Sequence, residues 1–240
     1  MITARPPLLM DLSKAKVLVT GGSSGIGLAT ARQLIDVGAQ VAICGRDAAK
    51  LERAASEIGA MAIRADVAVE NDVVRMVAAT IAAFDGYDVL INNAGFGYFA
   101  PLVETDLDAM RRVFDTNVLG AMLVARESAK HFIRQSRGNI INVSSSAGVR
   151  GFAGGTAYSA SKFAVSSFTE CWRAELRKHN IRVMQINPSE VQTDFFAGRE
   201  RPQSDRKLQS GDIAQAILSM LALPDRGFIT ETSVWATNPE

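Results

Sequence analysis

Cysteine and histidine are scarce in this chain, with two of each among 240 residues. Cys44 and Cys171 form no close-spaced pair and neither belongs to a cysteine–histidine cluster, which argues against a disulfide framework and a zinc site. Long uncharged apolar runs are missing as well. The start of the chain, Met1 to Lys16, holds only Leu8-Leu9-Met10 behind Pro6 and Pro7, too short for the apolar part of a secretory leader. The expectation is a cytoplasmic protein with a loose N-terminal extension over 1–14 and no membrane partner. Charge of one sign is not in excess either. The 26 basic and 25 acidic residues leave a net charge of +1, which removes the electrostatic reason to expect nucleic acid or an anionic membrane.

What is present is an alternation. Short β-branched runs are followed by longer segments of helical period: Val17–Thr20, Val41–Cys44, Met61–Ile63, Val89–Ile91, Asn139–Val143 and Ile181–Ile186 read as strands. Helices are predicted over about 25–37, 48–58, 70–84, 106–134 with a break near Thr116-Asn117, 157–179, and from Gly211-Asp212 onward. Asp47 fits an N-cap for the helix whose apolar face carries Leu51, Ala54, Ala55 and Ile58. Phe228 to Trp235 reads as a last strand. Strands that are apolar throughout are covered on both faces, and strands separated by helices pair in parallel through right-handed crossovers. The fold class is therefore α/β: a single doubly wound Rossmann-type parallel sheet of about seven strands with helices on both faces. One domain spans 1–240. The pattern fails from about Asp194 to Ser210, where Gly198, Pro202 and charged residues suggest a substrate lid over 194–210.

A glycine-rich turn follows the first strand: Thr20-Gly21-Gly22-Ser23-Ser24-Gly25-Ile26-Gly27. Strand, turn and helix in this order aim backbone N–H groups and a helix N-terminus at an anion. Gly21 permits the sharp turn, Gly25 a close approach to a pyrophosphate, and Gly27 close packing of helix on sheet. The spacing differs from the general dinucleotide fingerprint. Together with Asn92-Asn93-Ala94-Gly95 after the fourth strand and Tyr158-Ser159-Ala160-Ser161-Lys162 in a later helix, it resembles the short-chain dehydrogenase/reductase family. The resemblance runs from about Lys16 to Asn238. It implies a cofactor site formed by Gly21, Ser23, Ser24, Gly25, Ile26, Gly27, Asn93, Ala94 and Gly95, with Asp66 and Val67 at the adenine. Part of the family's later P-G-x-V-x-T segment is matched by Pro188, Val191 and Thr193, with Ser189 in place of the glycine; Thr193 is then a candidate for the carboxamide.

An acid at the end of the second strand would select NAD, and an arginine there NADP. Gly45 stands at the family's acidic position and Arg46 follows, which favours NADP. Asp47 is the competing acid if the register is shifted, and a helix cap otherwise.

Tyr158 and Lys162, four residues apart on one helix, can share a face. The resemblance adds Ser145, thirteen positions before the tyrosine, with Ser144 and Ser146 as neighbours in register, and Asn117 as a fourth catalytic residue that helps hold a water. Tyr158 and Lys162 also count as cofactor contacts, the lysine through the nicotinamide ribose. A carbonyl that accepts hydride develops negative charge on oxygen, so a proton donor and a second hydrogen bond are needed, the parts expected of Tyr158 and Ser145. An ammonium ~4 Å from the phenol contributes on the order of 4 kcal/mol at an effective dielectric of ~20. That is enough to bring a phenol from ~10 to ~7 before desolvation is counted.

Phe96, Tyr98, Phe152, Phe195 and Phe196 are candidates for a substrate pocket, and core or subunit contacts are the alternative. In the lid region, Arg199, Glu200, Arg201, Arg206 and Lys207 could meet an anionic carrier or simply face water. The tail Ile229–Pro239 is similar to that of 3-oxoacyl-thioester-reductase-like members. Three readings follow: an NADP(H)-dependent reductase of ketones or 3-oxoacyl compounds, an NAD-dependent alcohol or hydroxysteroid dehydrogenase, and a dinucleotide-sensing protein without catalysis. The family resemblance also implies a homodimer or homotetramer.

Overall fold

A computed structural model describes residues 10–193, 204 and 206–238. Its strands and helices alternate in chain order: β1 (Lys16–Thr20), α1 (Gly25–Asp36), β2 (Gln40–Gly45), α2 (Ala48–Ile58), β3 (Met61–Arg64), α3 (Glu70–Phe84) and β4 (Val89–Asn92) form the first half. The second half holds α4 (Leu107–Phe114), α5 (Ala121–Gln135), β5 (Gly138–Val143), α6 (Thr156–Leu176), β6 (Ile181–Pro188), β7 (Val191–Gln192), β8 (Leu208–Gln209), α7 (Ser210–Leu221) and β9 (Glu231–Val234). Seven strands pair in parallel in the order β3-β2-β1-β4-β5-β6-β9. The doubly wound sheet expected from the alternation is thus present.

Successive side chains of a strand point to opposite faces, and here both faces are apolar. Val17 and Val19 of β1 join one core with Leu34 of α1, Leu51 of α2, and Ile213, Ile217 and Leu221 of α7. Leu18, between them, joins the other core with Val73 and Met76 of α3, and Val124 and Phe132 of α5. Complete burial of such a side chain contributes about 1.5–3 kcal/mol, so a slip of one residue would exchange two filled interiors.

The local signals act where expected. Asp47 caps α2 by accepting from the Lys50 N–H at 3.0 Å, and Gly59 closes the helix in a left-handed conformation (φ +75°). Leu51, Ala54, Ala55 and Ile58 are all buried. The predicted break near Thr116-Asn117 is a π-helical turn over Asp115–Gly120, joining α4 to α5 with right-handed helical backbone at both caps. The predicted final strand is shorter, because only Glu231–Val234 pairs with β6.

Several features have no counterpart in the sequence reading. β7 and β8 form a separate two-residue parallel pair. Leu12–Lys14 forms a 3-10 turn capped by Asp11, and Met10 and Leu12 pack on the core; residues 1–9 lie outside the described region. Of the expected lid, 194–203 and 205 lie outside it too. Among the described residues, no helix is long and apolar enough to cross a membrane.

Asp47→Ala removes the α2 cap and is expected to lower stability by about 1 kcal/mol. Urea denaturation would show this as a lower midpoint with an unchanged slope; an unchanged midpoint would show that the cap contributes nothing.

Candidate active site

The strand order reverses between β1 and β4, where crossovers leave toward opposite faces. A crevice opens at such a point, outside the carboxyl ends of the strands. Here it is a cavity of about 1080 Å³, at the upper end of the ~300–1,000 Å³ usual for ligand pockets.

One end of the cavity is the glycine turn. Gly21 and Gly25 hold φ of +65° and +55°, a region that side chains with a Cβ disfavour. Ser24, the N-cap of α1, makes no side-chain cap hydrogen bond, which leaves the first N–H groups of the helix for an anion. Gly21, Ser23, Ser24, Gly25 and Ile26 line the cavity. Gly27 does not. A Cβ there would lie 2.4 Å from the Gly21 carbonyl oxygen, so its part is to let α1 close on the turn. These features fit a dinucleotide pyrophosphate.

Arg46 lines the cavity where β2 ends, with Gly45 before it and Lys50 beyond it. Asp47 is not on the cavity wall, and its carboxylate is used in the α2 cap. Asp66 and Val67 also line it. Asp66 accepts from the Ala68 N–H and stands 3.8 Å from the Arg46 guanidinium. Arg46 is 63% exposed, so this is a weak pair that a phosphate could replace. Farther along lie Asn93, Ala94 and Gly95, then Pro188, Val191 and Thr193. Asn93 donates to the Thr20 carbonyl at 2.9 Å, tying the end of β4 to the end of β1.

The π-helical turn places Asn117 behind Gly95. Its amide clasps Phe96 from both sides, accepting from the Phe96 N–H at 3.0 Å and donating to the Phe96 carbonyl at 2.9 Å. It also donates to the Ser161 hydroxyl at 3.0 Å. A Cβ on Gly95 would lie 3.0 Å from Asn117 Oδ1, which explains why glycine stands there.

Ser145, Tyr158 and Lys162 all line the cavity. Ser145 follows β5 and accepts from the Ala147 N–H at 3.1 Å. It lines the same wall as Tyr158, and its hydroxyl favours the charged form of that phenol. Ser144 is engaged elsewhere, donating to the Lys162 carbonyl at 3.2 Å, and Ser146 lines the cavity beside Ser145. Tyr158 is partly covered, its ring facing the cavity. Desolvation, partly offset by the influence of the Ser145 hydroxyl, pushes its phenol up to about 12. Lys162 is 5% exposed, donates to the Val143 carbonyl at 2.8 Å, and lies 5.8 Å from the Tyr158 ring centroid. Burial lowers its ammonium to about 8. The expectation of a phenol brought down toward neutrality is therefore corrected: burial is the largest influence on both groups, and it raises the phenol.

Phe96 and Phe152 line the cavity as expected. Tyr98 does not, because its hydroxyl accepts from the Asp106 N–H at 3.0 Å and so braces the loop before α4. Phe99 takes its place on the wall. Phe195 and Phe196 lie outside the described residues. Lys50, Phe99, Arg150 and Trp235 also line the cavity without having been anticipated. Only Lys50 left a readable trace, four residues after Arg46.

Known proteins are similar to this chain. L-fucose dehydrogenase of Mus musculus is 35% identical over 205 residues, 84% of this chain and 75% of that protein. An alcohol dehydrogenase from the archaeon Thermococcus sibiricus, solved with 5-hydroxy-NADP, superposes with a TM-score of 0.87 at 26% identity, covering 95% of this chain and 100% of that one. A short chain dehydrogenase from Burkholderia cenocepacia J2315 in complex with NADP gives 0.84 at 28% identity, with 94% and 98% covered. Residues 15–204 match the short chain dehydrogenase family as a whole. The chain therefore belongs to the short-chain dehydrogenase family and is an NAD(P)-dependent oxidoreductase.

Proposed function

We propose that this oxidoreductase uses NADP(H) and reduces a ketone or 3-oxoacyl compound to the secondary alcohol. One observation carries the reading: Ser145, Tyr158 and Lys162 converge on the wall of a cavity that also presents Arg46. The NADP-bound family members described above support the choice of cofactor.

Bound NADPH supplies the hydride. The chain's own residues do the rest. Gly21, Ser23, Ser24, Gly25 and Ile26 would hold the pyrophosphate, Asp66 and Val67 the adenine, and Arg46 with Lys50 a 2′-phosphate. Asn93, Ala94, Gly95, Pro188, Val191 and Thr193 would bound the nicotinamide half, with Lys162 at its ribose. As the carbonyl oxygen gains negative charge, Tyr158 gives up its proton to it and Ser145 contributes a second hydrogen bond. A phenol at about 12 is fully protonated in the working range, as a donor must be. Lys162 carries a cation that favours loss of that proton, and Asn117 fixes the segment at Phe96. A homodimer or homotetramer in the cytoplasm is the assembly we infer, supported by Leu107 and Leu119, which are exposed on and beside α4.

A second reading, oxidation of a secondary alcohol by the same groups, is favoured by the likeness to L-fucose dehydrogenase. Initial rates with NADPH and NADH on ketones, and with NADP and NAD on alcohols and sugars, separate the two.

Arg46→Ala is expected to weaken NADPH about tenfold or more, the scale of a lost charge-assisted hydrogen bond, and NADH much less. Equal weakening of both would refute the NADP assignment. Tyr158→Phe should abolish turnover while NADPH still binds by fluorescence titration; turnover close to wild type would remove Tyr158 from the mechanism. Lys162 is protonated below about 8 and neutral above, so kcat/KM for reduction should be level at lower pH and fall as pH rises through about 8. A profile without that limb up to pH 10 would dissociate the lysine from the chemistry.

A further inference from the structure

Among the described residues, four cations line the cavity: Arg46, Lys50, Lys162 and Arg150. The first two stand at the end of β2, and Lys162 is bound to the Val143 carbonyl. Arg150 is different. It follows Ser145 by five residues, lines the same cavity as Phe99 and Phe152, and its side chain has no partner among the described residues. Glu190, a carboxylate on the cavity wall, is matched by Lys207 at 3.2 Å.

Arg150 is also held in place. The 3-10 turn Ser146–Gly148 starts on Ser145, and the Arg150 N–H donates to the Ser146 carbonyl at 3.0 Å. The backbone carrying the guanidinium is thereby indexed to Ser145, which shares the cavity wall with Tyr158. Two residues on, Phe152 begins a wall of rings. It lies 6.0 Å from Phe99, and Phe99 lies 5.5 Å from Tyr158 edge-on. The two loops that bear these rings are latched by the Ala100 N–H donating to the Gly154 carbonyl at 2.9 Å. Phe152 is 51% exposed, an apolar ring left uncovered two residues from a cation with no partner among the described residues.

An aromatic wall that ends on the reacting hydroxyl suits a flat apolar body, and a planar guanidinium suits an oxyanion. We propose that Arg150 is a specificity-determining residue that receives an oxyanion of the substrate, a carboxylate or a phosphate, while the substrate's flat body lies on Phe99 and Phe152. The substrate class is then an anionic ketone with an aromatic or otherwise flat skeleton. This rests on the reductase reading above and narrows it.

The test uses three matched ketones with NADPH: 4-acetylbenzoate, its methyl ester and 4-acetylphenyl phosphate. Wild type should prefer an anionic compound over the ester in kcat/KM, chiefly through KM. In Arg150→Ala that preference should fall about tenfold, the lower end of the scale for a hydrogen bond to a charged group, and Arg150→Lys should restore part of it. The anion with the larger loss identifies the source, carboxylate or phosphate. The same preference in wild type and Arg150→Ala would overturn the proposal. If no compound is reduced, the reductase reading fails, and calorimetric titration of the three compounds into NADP-loaded wild type and Arg150→Ala decides the matter separately. Anion affinity that drops with the arginine supports the proposal; equal affinities, or no binding, overturn it.

Discussion

Lys162 brings an ammonium into the interior, where its only hydrogen bond among the described residues goes to the Val143 carbonyl. An isolated buried charge is costly, so this one contact constrains everything around it. Val143 is the last residue of β5 and Lys162 belongs to the second turn of α6. The bond therefore fixes the helix against the strand end. Ser144 reinforces it by donating to the Lys162 carbonyl, and Gly148 allows the intervening turn to press on the same backbone, where a Cβ would lie 2.9 Å from that carbonyl oxygen. Ser145 sits inside this junction and Tyr158 one helical turn before the lysine. Their mutual approach follows from how strand and helix are joined, more than from any attraction between them.

The sheet supplies the other half of the arrangement. Filled cores on both faces fix its register, and the reversal of strand order between β1 and β4 opens the crevice at their ends. Thr20 ties the two edges together, accepting at its hydroxyl from the N–H groups of Asn93 and Ala94. The glycine turn and the Asn93–Gly95 segment thus form one continuous wall. Arg46 and Asp66 extend that wall from the ends of the next two strands.

Much of this was legible in the sequence. Runs such as Val17–Thr20 and Ile181–Ile186 could only be strands covered on both faces, and Leu51, Ala54, Ala55 and Ile58 could only be one helix face. The glycine turn and the tyrosine–lysine pair were recognisable only in company with Asn92–Gly95, through the resemblance to the family. Other features were hidden for physical reasons. Whether Tyr98 or Phe99 faces the cavity depends on a single tertiary bond, from the Asp106 N–H to the Tyr98 hydroxyl. β7 and β8 are two residues each, too short to show a period. The proton affinities of Tyr158 and Lys162 depend on burial, which no spacing reveals: the pair looked like a charge acting on a phenol, whereas desolvation governs both.

The π-helical turn over Asp115–Gly120 has a bearing on how this chain can change. Such a turn carries one residue more than an α-helix of the same course. Removing that residue would improve the local hydrogen bonding, yet would turn all the side chains on one side of the deletion by about 100° relative to the other. Either Asn117 would leave Phe96, or Val124 and Phe132 would leave the core. The segment is therefore open to substitution along its length but closed to shortening, and an irregularity that looks like a local defect is what keeps the helix core and the cavity wall in phase.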